Sequence, residues 1–426
     1  MLRPQRLLCL CLTTVSVLAL AEYKLTEAPA GFSTPTLVNK PGSQSTSNGI
    51  AEPPGDTFGR DQQVFELRHD INTGLGPVFN ATACAECHQN GVTGAGSQIT
   101  ELRAGHIGAD GNFIAPTILI DNGRVSIPKR SIINDRAVCP EAQEHLPGTE
   151  TIRTQRAVLS TLGDGFVEAV ADETLLAIAA GQPGQSDGSI HGEAIELPIL
   201  EAPGYTRIGR FGWKDQQPTV LSFAGDAYLN EMGVTNRLRP KDVTSVCKSG
   251  VDPNVIEDQP DELGLADIDH FAHFIRGTKA PPRDLFLAGT PEASSGEAIF
   301  KNIGCSICHF QTLTTLPPGT LINGGTYAVP EAIGNRIIHP FGDFLLHDVG
   351  TGDGIVQAGP SDTADKLRTV PLWGLHIRSR FMHDLRSFTL EDAIRRHAGE
   401  AERVTDRFEN LSARDQNLLL TFLKSL

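Results

Sequence analysis

Apolar residues recur at helical spacing in two places along the chain. Both sets fall at i, i+3, i+4 and i+7: Ile268, Phe271, Ala272 and Ile275, and then Leu419, Phe422, Leu423 and Leu426. This period places one apolar stripe along a helix, so it predicts two amphipathic helices. Gly277 ends the first helix, and Ser412 with Asp415 begins the second as a capping box.

A third helix is predicted at residues 389–397. Thr389 and Asp392 form a capping box at its start. One face carries four residues at the same helical spacing: Leu390, Ala393, Ile394 and His397. The pattern therefore points the His397 side chain inward. Most histidines on such a face are ordinary core residues, and the alternative is a metal ligand.

The first apolar run, residues 7–20, is shorter than the ~20 residues that a membrane span needs. It follows two arginines and ends in the small-residue sequence Ala-Leu-Ala at 19–21. These features predict a signal peptide over residues 1–21, which would remove Cys9 and Cys11. We therefore expect an exported protein without a membrane span, periplasmic if the source is a Gram-negative bacterium.

Residues 22–60 are rich in Pro, Ser, Thr and Gly, which predicts a flexible N-terminal arm. Scattered glycines and the sequence EAIELPIL predict a small β-hairpin within residues 183–210. The net charge of −15, from 51 acidic and 36 basic residues, argues against a nucleic-acid-binding protein. With only two tryptophans and four tyrosines, an aromatic groove for a polymer is also not expected.

Two CxxCH motifs, 221 residues apart, carry the main chemical signal. They are Cys84, Cys87 and His88, and Cys305, Cys308 and His309. In such a motif both thiols bond covalently to haem vinyl groups, and the histidine ligates the iron. A zinc half-site or a redox CxxC is the alternative for a single copy. Two copies in an exported protein predict two covalently bound haem c groups.

Cys139 and Cys247 are left outside these motifs. In an oxidising compartment such a pair most simply forms a disulfide, and free thiols are the alternative. The fold expected from all these features is mainly α. It would contain two cytochrome c-like haem domains, residues 61–285 and 286–426, the first enlarged by loops and the small hairpin.

Five segments in a fixed order give the chain a family resemblance. They are GLGPVFNATACAECH, GRFGWK, NEMGVTN, FLLHDVG and FMHDLRSFTLEDAIRRHAGEA. Over about residues 58–426 the sequence resembles the di-haem oxidoreductase family, which is related to bacterial di-haem cytochrome c peroxidases and MauG-type enzymes. The resemblance implies an enzyme with two haems of different coordination.

The resemblance also assigns roles to two residues at the N-terminal haem. Trp213 lies eighteen residues before Glu231 in GWKDQQPTVLSFAGDAYLNEMG. Trp213 would match the tryptophan that lies between the two haems in the family. Glu231 would match the acid–base residue on the open side of the haem held by His88. The family's proline before this glutamate is absent, and FGWKD replaces FWDGR.

At the C-terminal haem the resemblance implies a second axial ligand. His397 occupies the family position for it, opposite His309, and Met382 is the alternative. His347, His383 and Asp384 fall at family positions close to the haems. There they would hydrogen-bond a propionate or a loop, although simple packing is nearly as consistent with the sequence.

The resemblance implies that peroxide is reduced at the N-terminal haem with electrons passed from the C-terminal haem. The expected partners are peroxide or another small oxidant and a small electron-donor protein such as a cytochrome. A non-catalytic electron-transfer cytochrome and an oxidase or oxygenase of a macromolecule are the alternatives. The peroxidase relatives hold a calcium ion between their domains, but no local motif predicts one in this chain.

Overall fold

The computed structural model describes residues 24–31, 50, 53–248 and 255–426. The predicted signal peptide, residues 1–21, lies outside the described residues. Over the ranges that are described, no helix is both long enough and apolar enough to cross a membrane.

The helices fall into an N-terminal and a C-terminal group. They are α1 Phe58–Glu66, α2 Cys84–Cys87, α3 Asp164–Glu168, α4 Asp172–Gln185, α5 Val220–Met232, α6 Asp267–Gly277, α7 Leu285–Ala288, α8 Pro291–Ile303, α9 Leu390–Arg395, α10 Glu402–Glu409 and α11 Ala413–Leu423. The two amphipathic helices predicted first are confirmed as α6 and α11, and their apolar faces are buried. The predicted caps of α9 and α11 also form, at Thr389 and Ser412.

Seventeen strands lie between these helices in the described ranges, and most are two or three residues long. They are β1 Thr26–Glu27, β2 Val78–Phe79, β3 Thr100–Ile107, β4 Phe113–Ile114, β5 Ile118–Ile120, β6 Val125–Ile127, β7 Ile132–Ile133, β8 Arg136–Ala137, β9 Ile152–Ala157, β10 Glu196–Pro198, β11 Thr206–Ile208, β12 Leu313–Thr314, β13 Leu321–Ile322, β14 Tyr327–Ala328, β15 Arg336–Ile338, β16 Leu346–His347 and β17 Leu367–Arg368. The hairpin expected within residues 183–210 is the antiparallel pair β10–β11.

The expected fold class, mainly α with two cytochrome c-like domains, is wrong. Only 32% of the structure is helical and 17% is strand, so the fold is a mixed α/β architecture with many small sheets. The largest sheet pairs β3 with β4, β7 and β9, and its β3–β9 ladder is antiparallel from Thr100 opposite Ala157 to Gly105 opposite Ile152. Strands of two or three residues are too short for an alternating pattern, which explains why the sequence did not predict them.

The largest apolar core joins α1, α5 and α6 to segments of the C-terminal half. Phe65 of α1 packs on Phe274 of α6 with ring centroids 4.6 Å apart. Ile333 and Phe344 belong to the same buried cluster. A second cluster forms between α8, α10 and α11 around Phe300. The main core thus continues past residue 286, and the domain division placed there stays a prediction.

Part of the predicted arm pairs with the C-terminal half of the molecule. β1 runs parallel to β15, with Thr26 opposite Arg336. His339 Nε2 lies 3.1 Å from a carboxylate oxygen of Glu27. The described part of the arm that precedes residue 32 is therefore an edge strand of a three-stranded sheet.

Cys139 and Cys247 are brought together in the N-terminal half. Their Cα atoms are 6.4 Å apart and their sulfurs lie at bonding distance. A Cα separation in this range is typical of disulfides. The bond would tie the segment after β8 to the segment after α5, across 108 residues of sequence.

Candidate haem sites

The first CxxCH motif forms a single helical turn, α2. The backbone N–H of His88 donates to the Cys84 carbonyl at 3.0 Å, which places His88 directly after that turn. Cys84, Cys87 and His88 line a cavity of about 730 Å³, the N-terminal cavity. Burial lowers the pKa of His88 to about 4, so this imidazole is neutral at pH 7. A histidine must be neutral to ligate a metal.

Glu101 and Glu231 are two of the acidic residues that line the same cavity. Glu231 on α5 accepts a hydrogen bond from Asn80 Nδ2 at 2.8 Å. Glu101 on β3 accepts one from Arg103 Nε at 2.6 Å and also contacts Glu231. Burial and then the neighbouring Glu101 charge raise the pKa of Glu231 to about 8. Burial alone would raise the pKa of Glu101, but the Arg103 guanidinium outweighs it and lowers that pKa.

The second CxxCH motif follows α8 through Gly304, whose φ of 104° is in the left-handed region that glycine favours. Cys305–Ile307 form a 3-10 turn. Cys305, Cys308 and His309 line a second cavity of about 260 Å³, the C-terminal cavity. His309 Nδ1 donates to the Phe341 carbonyl at 3.0 Å, which leaves Nε2 free to ligate a metal.

His397 faces His309 within the C-terminal cavity. It follows the end of α9, and its Nδ1 donates to the Ala393 carbonyl at 2.8 Å, which again leaves Nε2 free. The two ring centroids are 6.5 Å apart. With metal–nitrogen distances of roughly 2.0–2.1 Å, two imidazoles on opposite sides of one metal would have centroids about 6.3 Å apart. Met382 lines the same cavity.

His347 is fully buried beside the second motif. Its Nε2 lies 2.9 Å from Asp343 and its Nδ1 lies 2.8 Å from Glu400, so both ring nitrogens donate to carboxylates. Its Nδ1 is also 3.7 Å from the Cys308 sulfur. Burial opposes protonation, but the Asp343 carboxylate and the Cys308 sulfur outweigh it and raise the pKa of His347 well above its usual range. The surroundings of His347 therefore favour its protonated form next to the C-terminal haem attachment point.

His383 lines the C-terminal cavity at the side that faces the N-terminal one, and Asp384 follows it in the sequence. The His383 ring meets the Trp213 ring edge-on, with centroids 6.0 Å apart. Burial lowers the pKa of His383 to about 4. Asp384 accepts two hydrogen bonds from Arg396, at 2.7 and 3.1 Å. Asp384 thus fixes the segment that carries His383.

One wall separates the two cavities, and Trp213 is part of it. Residues 157–160, Trp213 and Arg368 line both cavities. The Trp213 indole N–H donates to the Ala157 carbonyl at 2.8 Å, and the Trp213 carbonyl accepts from the Arg368 N–H at 2.8 Å. These two hydrogen bonds, one from the indole and one to the backbone carbonyl, fix the orientation of Trp213 between the two cavities.

The polar groups of the cavities fit a cofactor that carries carboxylates, as haem does. Arg156, which lines the N-terminal cavity, has a side chain only 1% exposed. Two of its nitrogens donate to Asp353 and Gln357, while Nη2 is buried without a protein partner. A buried donor of this kind requires an acceptor, which a haem propionate would supply. The residues present therefore fit one haem in each cavity.

Glu101, Arg103, Arg156 and Arg368 were not identified from the sequence. Glu101 and Arg103 are two residues apart on β3, so they point to the same face of the strand. A charged pair at i and i+2 within a strand is the sequence signal that could have identified Glu101 and Arg103. Arg156 and Arg368 reach the cavities only through long-range folding, and their sequence neighbourhoods carry no motif.

Three solved structures resemble this chain at low sequence identity. A hydrazine synthase from Kuenenia stuttgartiensis is 13% identical, with 94% of this chain and 99% of that chain covered and a TM-score of 0.35. A MauG-like protein associated with microbial copper homeostasis is 15% identical, with 96% and 94% covered and a TM-score of 0.38. The diheme peroxidase BthA from Burkholderia thailandensis is 17% identical, with 51% and 65% covered and a TM-score of 0.29.

Structural scores this low support no inference about activity, and no curated protein matches the sequence significantly. The family model described as "Di-haem oxidoreductase, putative peroxidase" matches residues 141–426. This match covers well over half of the sequence and confirms the resemblance seen in its motifs. The chain belongs to the di-haem oxidoreductase family and is an oxidoreductase enzyme.

Proposed function

We propose that the protein reduces peroxide in its N-terminal cavity with electrons that enter through its C-terminal cavity. The observation that carries the proposal is the difference between the two cavities. Four histidines line the C-terminal cavity, and two of them, His309 and His397, face each other at a spacing that would let both ligate one iron. Among the described residues that line the N-terminal cavity, His88 is the only histidine, and the carboxyl groups of Glu101 and Glu231 lie close together at its wall.

When bound, the two haems would supply an iron that binds peroxide and the electrons that reduce it. Cys84 and Cys87 would hold one haem and Cys305 and Cys308 the other. Glu231 would move a proton between the two peroxide oxygens, which favours cleavage of the O–O bond. Its contact with Asn80 fixes the carboxyl group at the cavity wall.

Trp213 would shorten the electron path between the haems, because it lines both cavities and is held at both ends. Arg156 would bind a propionate in the N-terminal cavity through its unpaired Nη2. His347 would stabilise the reduced form of the C-terminal haem, since a buried positive charge favours an added electron. A small electron-donor protein such as a cytochrome would reduce this haem.

We also propose that the protein is exported, and periplasmic if the source is a Gram-negative bacterium. The support is the signal-peptide pattern at residues 1–21 and the CxxCH motifs. The pairing of Cys139 with Cys247 also suits an oxidising compartment.

Electron paramagnetic resonance of the haem-loaded protein, first oxidised and then half-reduced, tests the proposal. We expect a low-spin signal from the C-terminal haem and a high-spin signal from the N-terminal haem in at least one state. Peroxide should then be consumed with a reduced cytochrome as donor. Two low-spin signals that persist through half-reduction, with no peroxide consumption, would instead identify an electron-transfer cytochrome.

A further inference from the structure

Glu101 and Glu231 are 130 residues apart in the sequence but meet at the wall of the N-terminal cavity. Their carboxyl groups are close enough to interact directly. Two neighbouring carboxylates repel each other strongly when both are ionised, and neither then has a proton to donate. The contact therefore requires one proton to be held between the two groups.

The surroundings make the two carboxyl groups unequal. Arg103 Nε donates to Glu101 at 2.6 Å, which favours the ionised form of Glu101. Glu231 instead accepts a hydrogen bond from the neutral Asn80 amide, at 2.8 Å. Asn80 is itself held by the Asp135 backbone N–H, which donates to Asn80 Oδ1 at 2.9 Å. The proton therefore resides mainly on Glu231 and the negative charge on Glu101.

Other charged groups surround the pair on every side. They are Arg103 on β3, Arg156 on β9, Asp226 on α5 and Arg130 before β7. Cys84 and Cys87 also face Glu231, and both would be neutral thioethers once haem is attached. Arg130 and Arg156 are themselves paired with Glu144 and Asp353. Arg103, which donates directly to Glu101, is therefore the cation that stabilises a single negative charge on the pair.

We propose that Glu101 is the proton-accepting partner of Glu231, so that the two carboxyl groups together hold one proton beside the N-terminal haem. This inference rests on the proposed function and adds a residue that the family motifs do not contain. Because Glu101 acts through Glu231, it is a positioning residue.

The pair can accept and donate a proton in the same reaction. Glu231 would receive the proton of the peroxide oxygen nearer the iron while its own proton moves to Glu101. Glu231 would then donate a proton to the outer oxygen as the O–O bond breaks and water leaves. Glu101 would pass its proton back to Glu231. The pair ends with the single proton it began with, and the two electrons come from the haem centres, as in the proposed function.

The first test requires no turnover. Infrared difference spectra of the haem-loaded protein should show a protonated carboxyl band that disappears near pH 8. The band should be absent in Glu231→Gln. In Glu101→Gln the band should disappear at a pH at least about one unit lower, because the Glu101 charge that raises the pKa of Glu231 is gone. Glu173→Gln, which changes an exposed carboxyl group on α4, is the matched control and should leave the band unchanged.

A second variant guards against simple misfolding. Glu101→Asp keeps the negative charge and should return the titration toward the wild-type pH. If Glu101→Gln folds, binds two haems and titrates at the wild-type pH, then Glu101 does not share the proton and the proposal is wrong. If Glu101→Gln does not fold, Arg103→Gln takes its place, because it removes the cation that keeps Glu101 ionised. An unshifted band in Arg103→Gln would then lead to the same conclusion.

Turnover separates this inference from the proposed function. Glu231→Gln should lower kcat/KM for peroxide by about 10²-fold or more, the usual effect of losing a general acid–base. If it does not, the role of Glu231 in the proposed function fails, whatever the infrared band shows. Glu101→Gln should shift the pH profile of kcat/KM to lower pH. A large loss in Glu231→Gln with an unchanged profile in Glu101→Gln would leave the proposed function standing and refute the pair.

Discussion

The His397 imidazole lies 6.5 Å from that of His309, and the Ala393 carbonyl fixes its orientation. This geometry predicts that His397→Gly removes one axial ligand from the C-terminal haem. The low-spin spectrum of that haem should be lost, and its potential should change because axial ligation sets it. Added imidazole should restore the low-spin spectrum by filling the space of the lost side chain.

Met382→Leu is the control for this prediction, because Met382 lines the same cavity. Its absorption and resonance spectra should match those of the wild type. If Met382→Leu removes the low-spin signal and His397→Gly does not, Met382 is the ligand and the assignment of His397 is wrong.

Trp213 offers a second residue-level prediction. Trp213→Phe removes the indole from the wall between the cavities and leaves the Ala157 carbonyl without its donor. Electron transfer between the haems should be slower in stopped-flow spectra of the half-reduced protein. The free energy of unfolding should fall by about 1–3 kcal/mol because a buried acceptor loses its hydrogen bond.

Trp373→Phe is the matched control, because Trp373 is a buried tryptophan that lines only the C-terminal cavity. It should also lower stability but should leave the rate of electron transfer between the haems unchanged. Equal rates in wild type and Trp213→Phe would exclude Trp213 from the electron path.

Among the elements, the predicted disulfide between Cys139 and Cys247 would join two segments that lie 108 residues apart. In the loop-entropy model, closing a loop of this length stabilises the folded chain by roughly 4–5 kcal/mol. Replacing both cysteines by serine should therefore lower the free energy of unfolding by several kcal/mol in urea titrations. An unchanged unfolding midpoint would indicate that the two thiols are free in the folded protein.

Chemical reduction of the protein separates the two kinds of cysteine. A mild reductant should break the disulfide, while thioether-bound haem should remain attached at both CxxCH motifs. Haem release under these conditions would contradict covalent attachment.

Some elements could be predicted from the sequence because their signal is local. α6 and α11 follow from four apolar residues each, since a buried helical face repeats at a fixed period. The short strands could not be predicted, because β16 and β17 are two residues long and form only when distant segments meet. The sequence of the long strand β3 alternates between polar and apolar residues and could have predicted a strand, but the expected mainly α fold did not include one there.

The candidate sites divide in the same way. The CxxCH motifs are visible because covalent chemistry fixes their spacing. Trp213, Glu231 and His397 were identified through family motifs and do lie at the cavities. Glu101 carried only the weak signal of a charged pair within β3, and Arg156 carried none, because folding alone brings both side chains to the cavity that also contains Glu231. No spacing in the sequence encodes that placement.

Across the whole molecule, several buried groups hold protons more tightly in the folded state than in the unfolded state. Burial and Glu101 raise the pKa of Glu231 to about 8. Burial opposes protonation of His270, but hydrogen bonds to Asp61 and Asp261 raise its pKa to about 9. Between about pH 6.5, where unfolded histidine loses its proton, and pH 8, the folded state binds the extra protons.

Stability should therefore fall as the pH rises through this window, by up to about 1.4 kcal/mol per pH unit for each group. Urea titrations of the haem-loaded protein at a series of pH values would measure the slope. Glu231→Gln should have a shallower slope, because the amide does not titrate. A stability that rises with pH over the same window would show that these groups do not hold the extra protons.

The pairing of β1 with β15 has a consequence for the timing of folding. Thr26 and Arg336, whose side chains are hydrogen-bonded, are 310 residues apart in the sequence. As the chain is synthesised, β1 appears early, yet its partner strand emerges only after more than three quarters of the polypeptide. Of the strands in the described ranges, the first to be made must therefore wait for one of the last before it can pair.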